Sequence, residues 1–321
     1  MRSAIGSPNF GLDLNAPQRA ITDPVWDFIS RGGKRWRPAL LLLACEAVGG
    51  SKKMALPYTV IPELVHNGTI MIDDIEDNSS MRRGKPTTHL LYGVDVAVNA
   101  GNAMYFLPLT VLMNDGKIPA EKKAKIYSIY ASEMIQLSLG QATDIFWHKG
   151  CSNPTEAQYL QMCSYKTGSL ARMASKLGAV LGGANPNQVK AFGGFATSIG
   201  VAFQIQDDIL NIIPEHVEWG KEIGEDIKEG KRSLMVIHAL SQIKPGQKNR
   251  LLGILNSKEK SDSDVAQAIS IIKNSGSVEY AKGVARELVS SSWKKLDKNI
   301  EESQAKTLLK EFADYMIERS T

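Results

Sequence analysis

Residues 56–77 read LPYTVIPELVHNGTIMIDDIED, and this stretch decides the fold. Its apolar side chains continue over several turns without the strict alternation of a strand, so it predicts one long helix. The rest of the chain has the same character, because apolar segments are separated by Gly, Pro, Asn and Ser. The sequence lacks clear alternating runs joined by tight hairpin turns. We therefore expect an all-α protein.

The same signals predict the other helices and the domain organisation. Further helices are predicted over 24–29, 37–48, 94–113, 121–146, 157–181 (interrupted near Gly168), 187–213, 234–243, 247–255, 263–273, 278–296 and 301–317. The charged, glycine-punctuated stretch 215–231 is predicted to be a loop. Because no Pro/Gly/Ser-rich linker divides the chain, we expect a single domain over 1–321. Its predicted architecture is one bundle of long antiparallel helices around a central cavity.

Composition excludes several classes of protein. The chain has 321 residues of which 43% are hydrophobic, so it can bury a core and is neither disordered nor collagen-like. The net charge of +4 is too small for a nucleic-acid binder defined by bulk charge. Cys45, Cys151 and Cys163 follow no metal or disulfide spacing and predict reduced thiols. The longest apolar run, 39–45, is too short to span a bilayer. We expect a cytoplasmic protein without stable membrane insertion.

Two acidic clusters carry the strongest functional signal. In Asp73-Asp74-Ile75-Glu76-Asp77 the first and last aspartates share one helix face, where a bound cation would relieve their repulsion. Carboxylate oxygens suit Mg²⁺. One such cluster alone could equally be a solvated acidic surface. However, a second apolar helix ends in a similar cluster, Asp207-Asp208-Ile209-Leu210-Asn211. If the two helices are neighbours, the clusters can face each other across one cavity.

Basic residues flank both clusters. Each group alone is most often a solvated patch, but beside magnesium-type carboxylates they predict diphosphate binding, since Arg and Lys are the usual phosphate partners. The candidates are Lys34, Arg35 and Arg37, then Arg82, Arg83 and Lys85, then Lys166, and finally Lys221 and Lys231.

These residues resemble those of the trans-isoprenyl (polyprenyl) diphosphate synthase family, and the ordered set of motifs is highly specific. The motifs are GGKRWRP (32–38), HNGTIMIDDIEDNSSMRRGKPTTH (66–89), GNAMYF (101–106), GQATD (140–144), KTGSL (166–170), FQIQDDILN (203–211) and KEIGEDIKEGKRS (221–233). The resemblance implies the all-α isoprenoid synthase fold and a homodimer. It also implies Mg²⁺-dependent head-to-tail condensation of isopentenyl diphosphate with an allylic diphosphate, with three Mg²⁺ per site.

The resemblance also assigns roles to individual residues. The implied Mg²⁺ ligands are Asp73, Asp77 and Asp207, supported by Asp74 and Asp208. The implied contacts of the allylic diphosphate are Arg82, Lys166 and Lys221, and those of isopentenyl diphosphate are Lys34, Arg37, His66 and Arg83. Thr167 and Gln204 would turn oxygen dipoles toward the carbocation, and Lys231 would close a loop over the site. Asn211 departs from the family, where many members have Asp.

Two positions have an ordinary structural alternative. A lone histidine on an apolar helix is often a satisfied core residue, but His66 lies two turns before Asp73 on the same face, which favours an anion site. Tyr105 and Phe106 fit the core and the wall of a product tunnel about equally well.

Product length depends, by the same resemblance, on the helix before the first cluster. Gly68 and Thr69 lie five and four residues before Asp73, where enzymes that stop at fifteen carbons often carry an aromatic residue. We therefore expect geranylgeranyl diphosphate, with twenty-five carbons as the runner-up, and expect Gly68→Phe to shorten the product. The other candidate wall residues are Val65, Ile61, Tyr105 and Phe106.

Two other classes of protein share part of this pattern. A class I terpene cyclase has the same fold and the DDxxD cluster but needs no isopentenyl diphosphate site, so Arg83 and the GGKRWRP motif argue against it. A non-catalytic subunit of a heteromeric synthase usually lacks one cluster or the basic motifs, whereas here only Asn211 is unusual.

Overall fold

The computed structural model describes residues 8–148, 153–213 and 223–318. Within these ranges nearly all regular structure is helical, and the strands form one short hairpin, which confirms the all-α class. The chain separates into two compact units: unit 1 comprises residues 1–129 and 173–185, and unit 2 comprises 130–172 and 186–321. The single domain over 1–321 stays a prediction.

Unit 1 holds the first acidic cluster. Its elements are α1 (Asn15–Pro17), a π-helix (Gln18–Thr22), α2 (Asp23–Ser30), α3 (Trp36–Glu46), α4 (Lys52–Ala55), a 3-10 turn (Leu56–Thr59), α5 (Val60–Glu76), β1 (Met81–Arg82), β2 (Lys85–Pro86), α6 (Thr88–Tyr92), α7 (Val94–Phe106), a second 3-10 turn (Leu107–Leu109) and α8 (Thr110–Asn114).

The core of unit 1 forms where α2, α5 and α7 meet. Phe28, Met71, Ala97, Ala100 and Met104 are fully buried there. Three of these five residues come from α7, and two of those three are alanines, so the helices approach closely. The heavily apolar stretch predicted over 56–77 is confirmed as α5 with a 3-10 turn before it.

A β-hairpin after the first cluster was not predicted. Arg82 pairs with Lys85, and the two turn residues Arg83 and Gly84 have φ of 53° and 74°. Positive φ at both central residues is the hallmark of a type I′ turn. The signal in the sequence is Gly84, although Arg83 rather than the usual Asn or Asp precedes it. Arg31 Nη1 anchors the hairpin by donating to the Pro86 carbonyl oxygen at 2.8 Å.

The predicted helix over 94–113 is interrupted. Pro108 has no backbone N–H to donate, and the chain passes through a 3-10 turn between α7 and α8. By length and composition alone, Val94–Asn114 could cross a membrane, so our expectation that no stretch is apolar enough does not hold for it. One such segment is weak evidence, because core helices of soluble proteins pass the same test.

Unit 2 holds the second acidic cluster. The remaining helices of the described chain are α9 (Ala120–His148), α10 (Glu156–Lys166), α11 (Gly168–Gly182), α12 (Pro186–Ile212), α13 (Glu225–Glu229), α14 (Leu234–Gln242), α15 (Pro245–Asn256), α16 (Asp262–Asn274), α17 (Ser277–Asp297) and α18 (Gln304–Glu318). The unit boundaries fall inside α9 and α11, so unit 2 begins within α9 at Tyr130 and contains α11 only as far as Arg172.

The helix α12 is the long central helix of unit 2. It has 27 residues and is buried along most of its length. It packs against α17, where the rings of Phe195 and Trp293 lie edge to face with their centroids 5.6 Å apart. The start of α10 is confirmed, since Thr155 and Gln158 form a reciprocal capping box. The loop predicted over 215–231 contains the short helix α13, while residues 214–222 lie outside the described residues.

Candidate active site

The first acidic cluster lies at the C-terminal end of α5. The Asp77 backbone N–H donates to the Asp73 carbonyl oxygen at 2.9 Å, so the two residues are one helical turn apart, as predicted. Both are half-buried, while Asp74 between them is fully buried. Asp73 and Asp77 thus sit on the more accessible side of the turn and Asp74 on the inner side.

Asp74 is held by Arg82 from the hairpin. Arg82 donates to Asp74 Oδ1 from Nε at 2.8 Å and from Nη2 at 2.5 Å, while Asp74 Oδ2 is buried without a hydrogen-bond partner. Burial raises the pKa of Asp74, and the positive charge of Arg82 opposes that rise. This geometry fits the supporting role predicted for Asp74. The predicted contact of Arg82 with an allylic diphosphate stays a prediction.

His66 lies among arginines. Burial lowers its pKa well below the usual range, and the positive charges of Arg37, Arg83, Arg82 and Arg35 lower it further. The imidazole is therefore neutral and the surrounding potential is positive, which suits an anion. Arg37 is buried and its guanidinium lies 4.3 Å from the Trp36 ring centroid. Lys34, the remaining predicted contact in this group, is exposed.

A buried carboxylate and amide organise these arginines, and sequence reasoning missed both. Glu63 Oε1 accepts from Arg35 Nη1 at 2.8 Å and from Asn67 Nδ2 at 2.8 Å. Asn67 Oδ1 in turn accepts from Arg83 Nη1 at 3.0 Å. The available signal was the polar pair Glu63 and Asn67, four residues apart on an otherwise apolar helix.

The residues predicted to set product length have different environments. A β-carbon at Gly68 would lie 2.8 Å from the Gly101 carbonyl oxygen and 2.9 Å from Met104 Cβ, so Gly68 faces the backbone of α7 at close range. Tyr105 is half-buried beside Gly68. Burial, together with the negative charges of Glu76 and Asp73, raises the pKa of Tyr105 to about 12.

The other predicted wall residues divide into buried and exposed. Val65 is fully buried and Thr69 is half-buried, with its hydroxyl donating to the His66 carbonyl oxygen at 2.8 Å. Phe106 is 68% exposed, so the core interpretation of Phe106 is wrong.

In unit 2, Lys166 is the last residue of α10. Its ammonium donates to Asp144 Oδ2 on α9 at 2.5 Å. Gly140 permits this approach, because a β-carbon there would lie only 2.3 Å from the Lys166 backbone nitrogen. Asp144, the end of the GQATD motif, is a site residue to which sequence reasoning gave no role.

A chain of hydrogen bonds joins Thr167 to the second acidic cluster. The Thr167 hydroxyl donates to Gln204 Oε1 at 2.8 Å, and Gln204 Nε2 donates to Asp208 Oδ1 at 2.9 Å. Tyr159, a residue we did not predict, donates from its hydroxyl to Asp208 Oδ2 at 2.7 Å. Because the Gln204 oxygen already accepts from Thr167, the hydroxyl oxygen of Thr167 is the better placed of the two dipoles to face a cation.

The second cluster is partly buried. Burial and the nearby charge of Asp226 raise the pKa of Asp208 to about 7. The hydrogen bonds from Tyr159 and Gln204 lower this pKa but do not offset the rise. Asp207, the predicted metal ligand next to it, is half-buried.

Asn211 ties the second cluster to the segment that follows. Its carbonyl oxygen accepts from the Gly224 N–H at 2.9 Å, and its Oδ1 accepts from the Asp226 N–H at 3.1 Å. Lys231 forms ion pairs with Asp226 at 3.2 Å and with Glu229 at 2.6 Å. Lys221, the other predicted cation here, lies outside the described residues.

Among the described residues, no three His, Cys, Asp or Glu side chains cluster closely enough to hold a metal ion by themselves. Mg²⁺ in phosphate-handling enzymes is usually bound by one or two carboxylates together with waters and substrate phosphates. The half-buried pair Asp73 and Asp77 offers two such oxygen donors one turn apart, which fits that mode of binding.

Comparison with known proteins decides the family. Residues 18–272 match the family model described as polyprenyl synthetase. The chain belongs to this family. It is a prenyltransferase, since its relatives are named as isoprenyl diphosphate synthases.

Three similar proteins illustrate the range of the family. A short chain isoprenyl diphosphate synthase from Methanothermobacter thermautotrophicus is 35% identical over 291 residues, covering 91% of this chain and 88% of the relative. A geranylfarnesyl diphosphate synthase from Natronomonas pharaonis is 32% identical, covering 96% and 92%. The crystal structure of a geranylgeranyl pyrophosphate synthetase from Pyrococcus horikoshii Ot3 superposes with a TM-score of 0.87 at 34% identity, covering 94% and 90%. The fold predicted from the motifs is thereby confirmed.

Proposed function

We propose that this prenyltransferase condenses isopentenyl diphosphate head to tail with dimethylallyl, geranyl or farnesyl diphosphate. One observation carries the proposal: the chain has two separate cationic groups, each beside its own carboxylates. In unit 1, Arg35 and Arg83 are joined by hydrogen bonds through Glu63 and Asn67. In unit 2, Lys166 lies beside Asp144. A condensation needs two diphosphates bound at once, whereas a terpene cyclase binds one.

The donor set supports Mg²⁺ as the cofactor. Asp73, Asp77 and Asp207 would supply oxygen ligands, and the diphosphate would complete the coordination. When bound, Mg²⁺ would neutralise diphosphate oxygens and so make diphosphate a better leaving group. Asp74 and Asp208, which are buried and hydrogen-bonded, would hold the backbone of each cluster in place.

In the reaction, the C1–O bond of the allylic diphosphate breaks and its electron pair leaves with diphosphate. Lys166 would bind that diphosphate, and the Thr167 hydroxyl oxygen would stabilise the allylic cation. The double bond of isopentenyl diphosphate, held by Lys34, Arg37, His66 and Arg83, then forms the new C–C bond. A proton leaves to the departing diphosphate, and the product is an allylic diphosphate longer by five carbons.

For the product we propose geranylgeranyl diphosphate, with the twenty-five-carbon product as the runner-up. The wall near the first cluster carries Gly68 and Thr69, and the ring of Tyr105 lies beside Gly68. The half-buried ring of Tyr105, and not a bulky side chain on α5, would stop the growth of the prenyl product. The relatives carry names for both product lengths, so the comparisons leave the choice open.

We also propose that the protein works as a cytoplasmic homodimer. In support, several apolar side chains of unit 1 are exposed along α6 and α7. They are Leu90, Leu91, Val94 and Phe106. Exposed apolar side chains on two packed helices are typical of the apolar faces found at subunit interfaces.

Chromatography of the products from labelled isopentenyl diphosphate tests the proposal. The purified chain is given each of the three allylic primers with Mg²⁺. We expect twenty-carbon product from all three primers and no condensation in excess chelator. Zero condensation by a folded, Mg²⁺-supplied chain would contradict the proposed activity and favour a subunit role, while products that stop at fifteen carbons would contradict only the length.

A further inference from the structure

We propose that Arg172 is the positioning residue that fixes Lys166 and Thr167 for the allylic diphosphate. The inference rests on the proposed function and adds a residue that the sequence motifs did not single out. Arg172 lies one turn into α11, just after the break that separates α10 from α11.

The Arg172 guanidinium joins four helices of unit 2. Its Nε donates to Glu133 Oε2 on α9 at 2.8 Å, and Glu133 is fully buried. Its Nη1 donates to the Ser164 carbonyl oxygen on α10 at 2.8 Å and to Thr197 Oγ1 on α12 at 3.2 Å. Its Nη2 donates to Gln136 Oε1 on α9 and to Ser169 Oγ on α11, both at 2.9 Å.

These contacts close around the break itself. Ser164 lies in the last turn of α10, where helix carbonyl groups lose their intrahelical partners, and Arg172 supplies a donor to one of them. On the other side, a β-carbon at Gly200 would lie 2.6 Å from Gly168 Cα, so the break packs directly on α12. The backbone of Lys166 and Thr167 is thereby held between Gly140, Gly200 and the Arg172 guanidinium.

Only an arginine can make this set of contacts. The planar guanidinium directs N–H groups in fixed, divergent directions, whereas a lysine ammonium is a single point charge on a flexible stem. Arg172 is 7% exposed, and its charge is balanced by Glu133. A lysine at this position would keep the ion pair with Glu133. It could not donate hydrogen bonds to α10, α11 and α12 at the same time.

The test is Arg172→Lys, measured by steady-state kinetics with both substrates varied. We expect the KM for the allylic diphosphate to rise at least tenfold, while the KM for isopentenyl diphosphate stays within twofold of the wild type. Binding of a thio analogue of the allylic diphosphate, with sulfur in place of the bridging oxygen, should weaken by the same factor in calorimetry. Val289→Ala is the control for general destabilisation, because Val289 is a buried apolar residue of α17 and makes none of these hydrogen bonds.

Two outcomes would overturn the inference. One is an allylic KM and analogue affinity in Arg172→Lys that match those of Val289→Ala at equal thermal stability. The other is an equal rise in both KM values, which indicates general destabilisation. If Arg172→Lys does not fold, Glu133→Gln, which keeps an oxygen acceptor for Nε, should show the same selective rise with smaller size. A wild-type chain that condenses nothing would instead refute the proposed function.

Discussion

At the scale of single residues, several predicted functional side chains are held by a hydrogen-bond partner, and the sequence did not indicate which residue that partner would be. Arg82 holds Asp74, Asp144 holds Lys166, and Tyr159 holds Asp208. Such partners are costly to remove, because a buried polar group left without its hydrogen bond keeps its full desolvation penalty. The chemistry therefore depends on pairs of residues. Asp74 and Arg82 both had an implied role, whereas Asp144 and Tyr159 had none.

Tyr159→Phe tests the hydrogen-bond chain from Tyr159 to Thr167. Removing one hydroxyl takes a donor from Asp208 Oδ2 and loosens Gln204 and then Thr167. We expect kcat to fall by roughly tenfold, equivalent to about 1.4 kcal/mol. We also expect a larger fraction of allylic diphosphate to be hydrolysed to alcohol, measured by product chromatography.

Tyr58→Phe is the control for that experiment, because Tyr58 is an equally buried tyrosine in unit 1 whose hydroxyl donates to Asp115. It should reduce thermal stability without changing the ratio of alcohol to condensed product. If the ratio of alcohol to condensed product were the same in Tyr159→Phe and Tyr58→Phe, the proposed role of the hydrogen bonds from Tyr159 to Thr167 would be refuted.

Asp208 should make the free energy of unfolding of the metal-free protein depend on pH. Its pKa of about 7 in the folded protein is above its unfolded value, so folding favours the protonated form. The resulting stabilisation is fully present below about pH 4 and is lost as the pH rises through 7. The free energy of unfolding of the wild type, minus that of Asp208→Asn, should fall by at most about 1.4 kcal/mol per pH unit in this window. Denaturant titrations in excess chelator measure it, and a flat or rising difference would contradict the raised pKa.

The sequence allowed prediction of the motif residues but not of their partners. Asp73 and Asp77 could be paired because helix periodicity fixes neighbours within one element. Tyr159 and Asp208 are far apart in the chain, and nothing local in α10 indicates that a tyrosine will meet α12. Glu63 and Asn67 lie on one face of an apolar helix, but their partners Arg35 and Arg83 come from other segments, which helix periodicity does not indicate.

At the scale of elements, close helix contacts through glycine occur beside the predicted site residues of each unit. Gly68 lies against α7 in unit 1, and Gly200 lies against the break at Gly168 in unit 2. Helix positions were predicted well, because long apolar segments with clear caps dominate the sequence. The hairpin and the interruption at Pro108 were missed, since each depends on a single turn residue. Gly68→Phe, expected from the sequence to shorten the product, would also displace α7.

Gly200→Ala and Gly194→Ala form a matched pair on α12. A β-carbon at Gly200 would meet backbone atoms at Gly168, whereas nothing lies within 4 Å of one at Gly194. We expect Gly200→Ala to lower the free energy of unfolding by about 1–3 kcal/mol and to raise the allylic KM. Gly194→Ala should raise the free energy of unfolding by up to about 1 kcal/mol, because alanine favours helix. Urea denaturation and kinetics check both, and equal effects would show that the break does not pack tightly on α12.

At the scale of the whole molecule, the net charge of +4 averages over local groups of opposite sign. Each unit carries carboxylates and its own cationic group, and the family membership assigns both to one enzyme. The composition alone excluded a nucleic-acid binder, but it could not indicate where charge is concentrated.

The exposed apolar face of unit 1 predicts self-association. Phe106→Glu places a charge on this face, and Leu308→Glu places one on α18, where Leu308 is 41% exposed. In sedimentation experiments we expect a dimer for the wild type and for Leu308→Glu, and a shift toward monomer for Phe106→Glu. A wild-type monomer at micromolar concentration would contradict the proposed dimer.

By the proposed function, the two cationic groups bind two different diphosphates in one condensation. Its most direct test is the KM for each substrate in Arg83→Gln and in Lys166→Gln, compared with the wild type at saturating Mg²⁺. We expect Arg83→Gln to raise the KM for isopentenyl diphosphate at least tenfold and to leave the allylic KM within twofold. Lys166→Gln should do the reverse. Both variants raising the same KM, or both KM values equally, would contradict it.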